Sequence, residues 1–115
     1  MVSIIRAAEL PPSPGGTVKF EGEAYGGEIS AFLVNNEPGK GPVLHKHPYS
    51  ETWFVRQGRA LMTAGDEQSE VGPGDVIVVT AETPHKFKNI GDTRLEIICI
   101  HAAPRIIQID LEPEA

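Results

Sequence analysis

The chain has few of the features that would place a protein in a class at once. Cys99 is the single cysteine among 115 residues, so no disulfide can form within the chain, and we expect a reducing, cytoplasmic location. No apolar run approaches the roughly 18 residues that a membrane-spanning helix needs. The opening residues also lack the long apolar segment of a signal peptide. We therefore expect no membrane partner.

An excess of positive charge is missing as well. Ten Lys and Arg residues stand against sixteen Asp and Glu residues, for a net charge of −6. A domain that binds nucleic acid would carry a basic patch, so we expect no nucleic-acid partner. The sequence also contains no Gly-rich phosphate loop, no Gly-x-Ser-x-Gly turn and no paired Cys-Cys zinc spacing. These absences exclude several common kinds of chemical site.

Helical periodicity is nearly absent, and the sequence favours short strands instead. Twelve Gly and ten Pro residues separate short segments rich in Val, Ile, Thr and Phe, a pattern typical of strands joined by tight turns. Without a linker or a repeat, the sequence predicts one all-β domain over residues 1–115, either a sandwich or a barrel. The predicted strands cover residues 2–7, 17–22, 28–35, 42–47, 51–57, 59–64, 67–71, 75–80, 85–89, 94–101 and 105–111.

The sequence does contain an unusual group of histidines inside this strand-like pattern. His45 and His47 stand one residue apart, so a strand would point both side chains to the same face, about 6.5–7 Å apart. Glu51 follows a Pro-containing break and opens the next predicted strand, and His85 opens another. Three imidazoles and one carboxylate suit a divalent transition metal such as Mn, Fe, Co, Ni, Cu or Zn. Ordinary strand histidines without a metal remain the alternative at this point.

The spacing of these residues resembles the first signature motif of the cupin superfamily. That motif has a glycine, five residues, His-x-His, three residues, a glutamate, six residues and a second glycine. Over residues 39–58, every position is matched by Gly39, His45, His47, Glu51 and Gly58. The resemblance implies a small jelly-roll β-barrel with the metal site inside it, of the kind found in small single-domain members.

A second segment, residues 74–89, is similar to the second cupin motif and supplies the fourth ligand. Gly74, His85 and Asn89 match it, whereas Thr80 replaces the usual proline and Glu82 the usual glycine. Both replacements fall in the turn before His85. They put the conformation of that turn in question, but not the ligand itself. The resemblance implies that one divalent transition metal is held by three histidines and one glutamate.

Two aromatic residues are predicted to face the same interior as the metal ligands. Trp53 lies two residues after Glu51 on an uninterrupted strand, and Phe87 lies two residues after His85. Strand alternation therefore directs both rings inward. They either form the apolar walls of a pocket for a small-molecule ligand or substrate, or they belong to the core.

His101 raises a similar question at the end of the predicted strand 94–101. It shares one face with Leu95, Ile97 and Cys99, opposite the charged Glu96. His101 either supports the metal site from outside the ligand set, as a hydrogen-bond partner or proton shuttle, or it caps the strand in solvent.

Two terminal segments, residues 3–10 and 105–112, are rich in apolar residues, as is the outer face of 94–101. Together they are too extensive for a barrel of this length to bury internally. Covering them with a second copy is the simplest solution, because twofold dimers are the commonest oligomers. We therefore expect a homodimer, which the resemblance to cupins also implies.

The leading functional hypothesis is a metal-dependent, dioxygenase-like oxidoreductase that acts on a small organic molecule. Apart from His101, no acid or base is recognisable beside the ligands, which favours metal-centred chemistry. Two alternatives remain open. One is a Lewis-acid isomerase or lyase acting on a small carbonyl or sugar compound. The other is a module that binds or senses a small molecule without turnover.

Overall fold

A computed structural model describes residues 1–113 as a chain built almost entirely from short β-strands. Two 3-10 helices, Ala7–Glu9 and Gly22–Tyr25, are the helical elements of this range, and neither could cross a membrane. The strands are β1 (Val18–Glu21), β2 (Ser30–Asn36), β3 (His45–Lys46), β4 (Glu51–Gln57), β5 (Ala60–Ala64), β6 (Glu67–Val71), β7 (Val76–Val79), β8 (His85–Asn89), β9 (Leu95–His101) and β10 (Ile109–Asp110).

The strands form two five-stranded antiparallel sheets. The first sheet has the order β1-β2-β9-β4-β7, and the second has the order β10-β3-β8-β5-β6. Most neighbours within each sheet are distant in sequence, because the chain passes repeatedly from one sheet to the other. This is the jelly-roll architecture that the resemblance implied, and the all-β prediction is confirmed.

The predicted terminal strands are largely missing from these sheets. Residues 2–7 form no strand but lead into the first 3-10 helix, where Arg6 N–H donates to the Glu9 carboxylate over 2.8 Å. Within 105–111, only Ile109 and Asp110 pair with a neighbouring strand. The N–H of Ile106 instead donates to the Glu21 carboxylate. Side-chain acceptors and bends thus take the place of the ladder bonds that a longer strand would need.

The space between the sheets is filled by alternate residues of the long central strands. In β9, every second residue from Leu95 to His101 is buried, and β4 buries Glu51, Trp53 and Val55 in the same manner. Burying one large apolar side chain stabilises the fold by about 1.5–3 kcal/mol. The same alternation that builds this core therefore turns Glu51 and His101 towards the interior.

The central part of the outer face of the first sheet is mostly apolar. Two rows of directly paired residues cross all five strands, and Thr52 is the one polar member among their ten residues. Several members are well exposed, including Val78 at 65% and Val76 at 55%. The first row is Val18, Leu33, Ile98, Phe54 and Val76, and the second is Phe20, Ala31, Ile100, Thr52 and Val78.

Candidate metal centre

The register of the strands brings the four predicted ligands together. His45 and His85 lie directly opposite each other where β3 pairs with β8 in the second sheet. His47 follows β3, and Glu51 enters from the facing first sheet at the start of β4. All four side chains are buried, and one nitrogen or oxygen atom from each lies within 4.8 Å of the others. The cluster therefore spans both sheets of the barrel.

Backbone carbonyls orient the three imidazoles. The Nδ1 atom of His45 lies 2.7 Å from the carbonyl oxygen of Val43. The Nδ1 atoms of His47 and His85 lie 2.7 and 2.8 Å from the carbonyl oxygens of Ile107 and Thr83. A carbonyl oxygen can only accept, so each Nδ1 carries the proton, and Nε2 is left as a lone pair. This support from backbone oxygens is typical of metal-binding histidines.

Glu51 provides the negative charge of the cluster. Its Oε1 atom lies 2.9 Å from His85 Nε2 and 3.1 Å from His47 Nε2. Burial would raise the pKa of this carboxyl group, but the ring nitrogens of His101, His47 and His85 beside it outweigh burial and hold the pKa well below its usual range. Glu51 is therefore a carboxylate near neutral pH.

The imidazole of His45 is suited to binding a metal rather than a proton. Burial lowers the pKa of His45 to about 4, against an ordinary value of 6.5, and the neighbouring rings of His85 and His47 add to the effect. His45 is thus neutral near pH 7, which is the form that binds metals. The ring centroids of His45 and His85 are only 4.3 Å apart, a crowding that three cationic imidazoles would oppose.

The donor set fits one divalent transition metal ion. With Nδ1 protonated, the Nε2 lone pairs of His47 and His85 face an acceptor oxygen of Glu51, which is repulsive unless a cation or an added proton lies among them. His47 Nε2 is also buried without a hydrogen-bond partner. Imidazole nitrogens and one carboxylate match the preferences of Mn, Fe, Co, Ni, Cu and Zn. His45, His47, Glu51 and His85 would hold the ion.

His101 lies beside this cluster, not in solvent. It is 1% exposed, and it lies directly opposite Glu51 where β9 pairs with β4. Its Nε2 atom is 3.3 Å from Glu51 Oε2, and its Nδ1 atom is 2.6 Å from the hydroxyl oxygen of Tyr49. Of the two placements open from sequence, the solvent cap is wrong, because the alternation of β9 and its central position direct His101 into the barrel.

Tyr49 was not singled out from the sequence, although its hydroxyl group contacts His101 and its ring contacts His47. It follows His47 by two residues but lies in the Pro-containing break, outside any strand. Its ring stacks on that of His47, with centroids 5.1 Å apart and an interplanar angle of 9°. The two-residue spacing was the only local signal, and the intervening break makes strand parity unreliable there.

A cavity of about 620 Å³ opens next to the cluster, and His45, Glu51 and His101 border it. Phe32, Val34 and Phe87 contribute apolar wall, while Lys40 and Gln108 are among the polar residues that line it. Phe87 therefore reaches the cavity. Trp53 is fully buried in the apolar core and is not part of the cavity wall.

Cys99 also borders the cavity but remains a thiol. Burial raises its pKa well above the ordinary value, and the negative charge of Glu51 adds to that shift. A thiol in this condition behaves as a small apolar side chain.

Comparison with known protein sequences identifies a family. The family model described as "Cupin domain" matches residues 32–101, more than half of the chain. An uncharacterised protein of Streptomyces coelicolor is 36% identical over 97 residues, which cover 84% of this chain and 89% of that protein. The 1-methylthio-D-xylulose 5-phosphate methylsulfurylase of Rhodospirillum rubrum is 28% identical over 88 residues. Those 88 residues cover 76% of this chain and 55% of the enzyme.

Solved structures with a similar fold include two oxalate decarboxylases. A formate complex of Lactobacillus farciminis oxalate decarboxylase has a TM-score of 0.81 at 28% identity and covers 90% of this chain. Bacillus subtilis oxalate decarboxylase, studied for its Mn(II) centres, has a TM-score of 0.79 at 26% identity. This chain spans only 34% and 29% of those two chains. The matching family model, the ligand cluster and the paired sheets together show that the chain belongs to the cupin family.

Proposed function

We propose that this chain is a metal-dependent oxidoreductase with dioxygenase-like chemistry, acting on a small organic molecule. One observation carries the proposal: three orientated imidazoles and a buried carboxylate converge beside a cavity of about 620 Å³. When bound, the metal would supply redox or Lewis-acid chemistry to a substrate that chelates through two oxygens. The similar Mn(II)-containing oxalate decarboxylase supports metal-centred chemistry on an oxygen-rich substrate.

The cavity supports a substrate larger than oxalate. Its volume is within the ordinary range of roughly 300–1,000 Å³ for small-molecule sites, whereas oxalate has six heavy atoms. Phe32, Val34 and Phe87 would pack against the carbon skeleton, and Lys40 or Gln108 would contact a polar group at its far end. Trp53 would act from behind the wall, because it supports the ring of Phe87. We therefore propose a carbon-rich molecule with two adjacent oxygens.

Lewis-acid chemistry is the second candidate, and the R. rubrum relative supports it. The name of that enzyme refers to a sugar phosphate, the kind of compound on which a metal can act without a change of oxidation state. A phosphate group usually requires several cations or backbone donors. Lys40 is the one Lys or Arg residue among the described residues that line the cavity, which makes a phosphorylated substrate the weaker proposal.

Oxygen dependence distinguishes these candidates. Chelator-stripped protein would be reloaded with Fe(II), Mn(II) or Zn(II) and incubated with oxalate, a 1,2-diketone, an α-hydroxyketone and a catechol. We expect oxygen uptake with Fe(II) or Mn(II), with both atoms of labelled O₂ in the product, and no uptake with Zn(II). A His85→Ala variant treated in the same way is the matched control.

Other outcomes would identify a different function. Conversion without oxygen, by the Zn(II) form as well, would replace the oxidoreductase with an isomerase or lyase. Saturable binding of one compound with no product under any condition would indicate a binding or sensing module.

We also propose that the chain forms a homodimer through the outer face of the first sheet. Ile98 and Ile100 lie on the middle strand of this face, with Leu33 and Phe54 beside Ile98. The two central rows of this face carry no charge, so they complement themselves under twofold symmetry, and burying them removes apolar surface from water. The largely exposed N-terminal segment 1–6 is the second surface that we propose to be covered.

We further propose a cytoplasmic location for this protein. Cys99 is its single cysteine and lies buried as a free thiol, which suits a reducing compartment. Fractionation of the source cells with an antibody against the chain would test this, and recovery from a secreted fraction would contradict it.

A further inference from the structure

Glu51 uses its two carboxylate oxygens in different directions. Oε1 faces the ligand cluster, at 2.9 Å from His85 Nε2 and 3.1 Å from His47 Nε2. Oε2 lies 3.3 Å from His101 Nε2. A carboxylate that binds a metal through one chosen oxygen needs something to hold the other. His101 is the side chain placed to do so.

Tyr49 determines which nitrogen of His101 carries the proton. The backbone N–H of Ile107 can only donate, and it donates to the Tyr49 hydroxyl oxygen over 3.1 Å. The hydroxyl proton then needs an acceptor, and His101 Nδ1 lies 2.6 Å away. His47 Nδ1 is farther, at 3.4 Å, and already donates to the Ile107 carbonyl. Tyr49 therefore donates to His101 Nδ1, which leaves the imidazole proton on Nε2, facing Glu51.

We propose that Tyr49 and His101 form a positioning pair for the metal centre. This inference rests on the proposed metal-dependent function. Tyr49 fixes the tautomer of His101, and His101 Nε2–H holds Oε2 of Glu51, so that Oε1 is presented to the metal. His101 Nε2 is buried without a hydrogen bond of standard geometry, and Glu51 Oε2, 3.3 Å away, is the oxygen within reach of its proton. Neither residue is a ligand.

The same pair connects the C-terminal segment to the ligand cluster. The backbone of Ile107 is bonded on both sides: its N–H donates to Tyr49, and its carbonyl accepts from His47 Nδ1. Tyr49 also stacks on the ring of His47. Loss of the Tyr49 hydroxyl therefore disturbs the orientation of His47 as well as the tautomer of His101.

Metal affinity tests this role without depending on turnover. Chelator-stripped parent and variants would be titrated with Mn(II) in competition with a fluorescent chelator, and the bound Mn(II) examined by pulsed electron paramagnetic resonance. The variants are Tyr49→Phe, His101→Leu, His101→Asn and His101→Gln, whose amide N–H reaches the position of Nε2–H. Tyr25→Phe is the matched control, because Tyr25 stacks on Phe20 and has no contact with the centre.

We expect His101→Leu and His101→Asn to lose about 10–100-fold in Mn(II) affinity, the usual effect of removing a partner of a metal ligand. Tyr49→Phe should lose roughly 10-fold. His101→Gln should stay close to the parent, as should Tyr25→Phe. Pulsed resonance should count three coordinated imidazole nitrogens in the parent and in His101→Gln. If His101→Leu fails to fold, the Mn(II) affinities of His101→Gln and His101→Asn are compared instead, and the proposal requires the Gln variant to bind more tightly.

Several results would overturn the proposal. Four imidazole nitrogens in the parent, or a loss in His101→Gln as large as in His101→Leu, would make His101 a ligand. Equal affinity in all variants would leave the pair without a role at the metal. A loss of affinity that follows a fall in the melting temperature of the stripped variants would assign His101 to packing. A parent that binds no Mn(II) would instead overturn the metal centre itself, and this role with it.

Discussion

Trp53 and Phe87 pack edge to face, with ring centroids 5.2 Å apart and planes inclined by 76°. Their surroundings differ, because Trp53 is 0% exposed whereas Phe87 borders the cavity. The ring centroids of Trp53 and His85 are 5.9 Å apart. The indole therefore lies behind both the cavity wall and a proposed metal ligand, and it contacts the two from the core side.

Replacing Trp53 should mainly reduce stability, and replacing Phe87 should mainly affect ligand binding. Trp53→Ala removes a fully buried side chain and should lower the free energy of unfolding by about 3–5 kcal/mol. Phe87→Leu keeps most of the volume and should cost less than about 1.5 kcal/mol while changing the binding of a carbon-rich ligand. Denaturant titration and ligand binding would be measured on each variant. Trp53→Ala with parental stability but lost ligand binding would place the indole in the pocket after all.

One divalent metal ion should bind per chain and stabilise the fold. At free Mn(II) 1,000-fold above the dissociation constant, the stabilisation should be about 4 kcal/mol, measured as a rise in melting temperature. His85→Ala should abolish most of this rise, because it removes one of four ligands. Asp66→Asn, which changes an exposed acidic residue in the turn after β5, should retain it. An equal metal-dependent rise in the His85→Ala variant would contradict the ligand set.

The metal-free protein should lose stability as the pH falls from about 6.5 to 4. Burial lowers the pKa of His45 to about 4 in the folded chain, so the unfolded chain binds more protons across this range, and protonation favours unfolding. Glu51, with its pKa held below the usual range, adds a loss at still lower pH. The loss would be measured as a fall in melting temperature, and each 1 kcal/mol of lost stability should appear as a fall of roughly 4–8 °C in a small domain. His45→Gln should flatten the profile between pH 6.5 and 4, and an unchanged slope would refute the assignment.

Glu82 has the backbone conformation that its position in the second motif normally gives to glycine. Its φ is 64°, in the left-handed region that costs a non-glycine residue roughly 1–2 kcal/mol. Its N–H donates to the His47 carbonyl over 2.8 Å, and its carboxylate pairs with Lys46 at 3.0 Å. Glu82→Gly should be more stable than Glu82→Ala by about 1 kcal/mol in chemical denaturation, because both lose the ion pair but only glycine relieves the strain. Equal stabilities would mean that the turn imposes no strain.

The proposed dimer should depend on the centre of the apolar outer face. Light scattering at micromolar concentration should give twice the chain mass for the parent and the single-chain mass for Ile98→Lys, because a buried unpaired charge is costly. Ile90→Lys is the control, since Ile90 is exposed and follows β8 in the other sheet. A monomeric parent would reject the dimer. A dimer unaffected by Ile98→Lys would keep the stoichiometry and reject this surface.

The sequence by itself was sufficient for the strand pattern of the barrel and for selecting His45, His47, Glu51 and His85. Strand alternation is local, and the spacing within each motif places its residues without knowledge of distant contacts. The terminal segments 2–7 and 105–111 were overpredicted for the complementary reason. Their apolar pattern is that of strands, but a strand also needs a neighbour for its hydrogen bonds, and no local pattern shows whether a neighbour exists.

Only the tertiary structure decided the position of His101, the part played by Tyr49 and the different surroundings of Trp53 and Phe87. His101 faces Glu51 because β9 pairs with β4 in one particular register, which depends on how loops close over fifty residues of chain. Tyr49 meets His101 and Ile107 from a break that has no strand parity. Alternation tells which side chains point inward, but the packing of two sheets decides which of them reach a cavity and which fill the core.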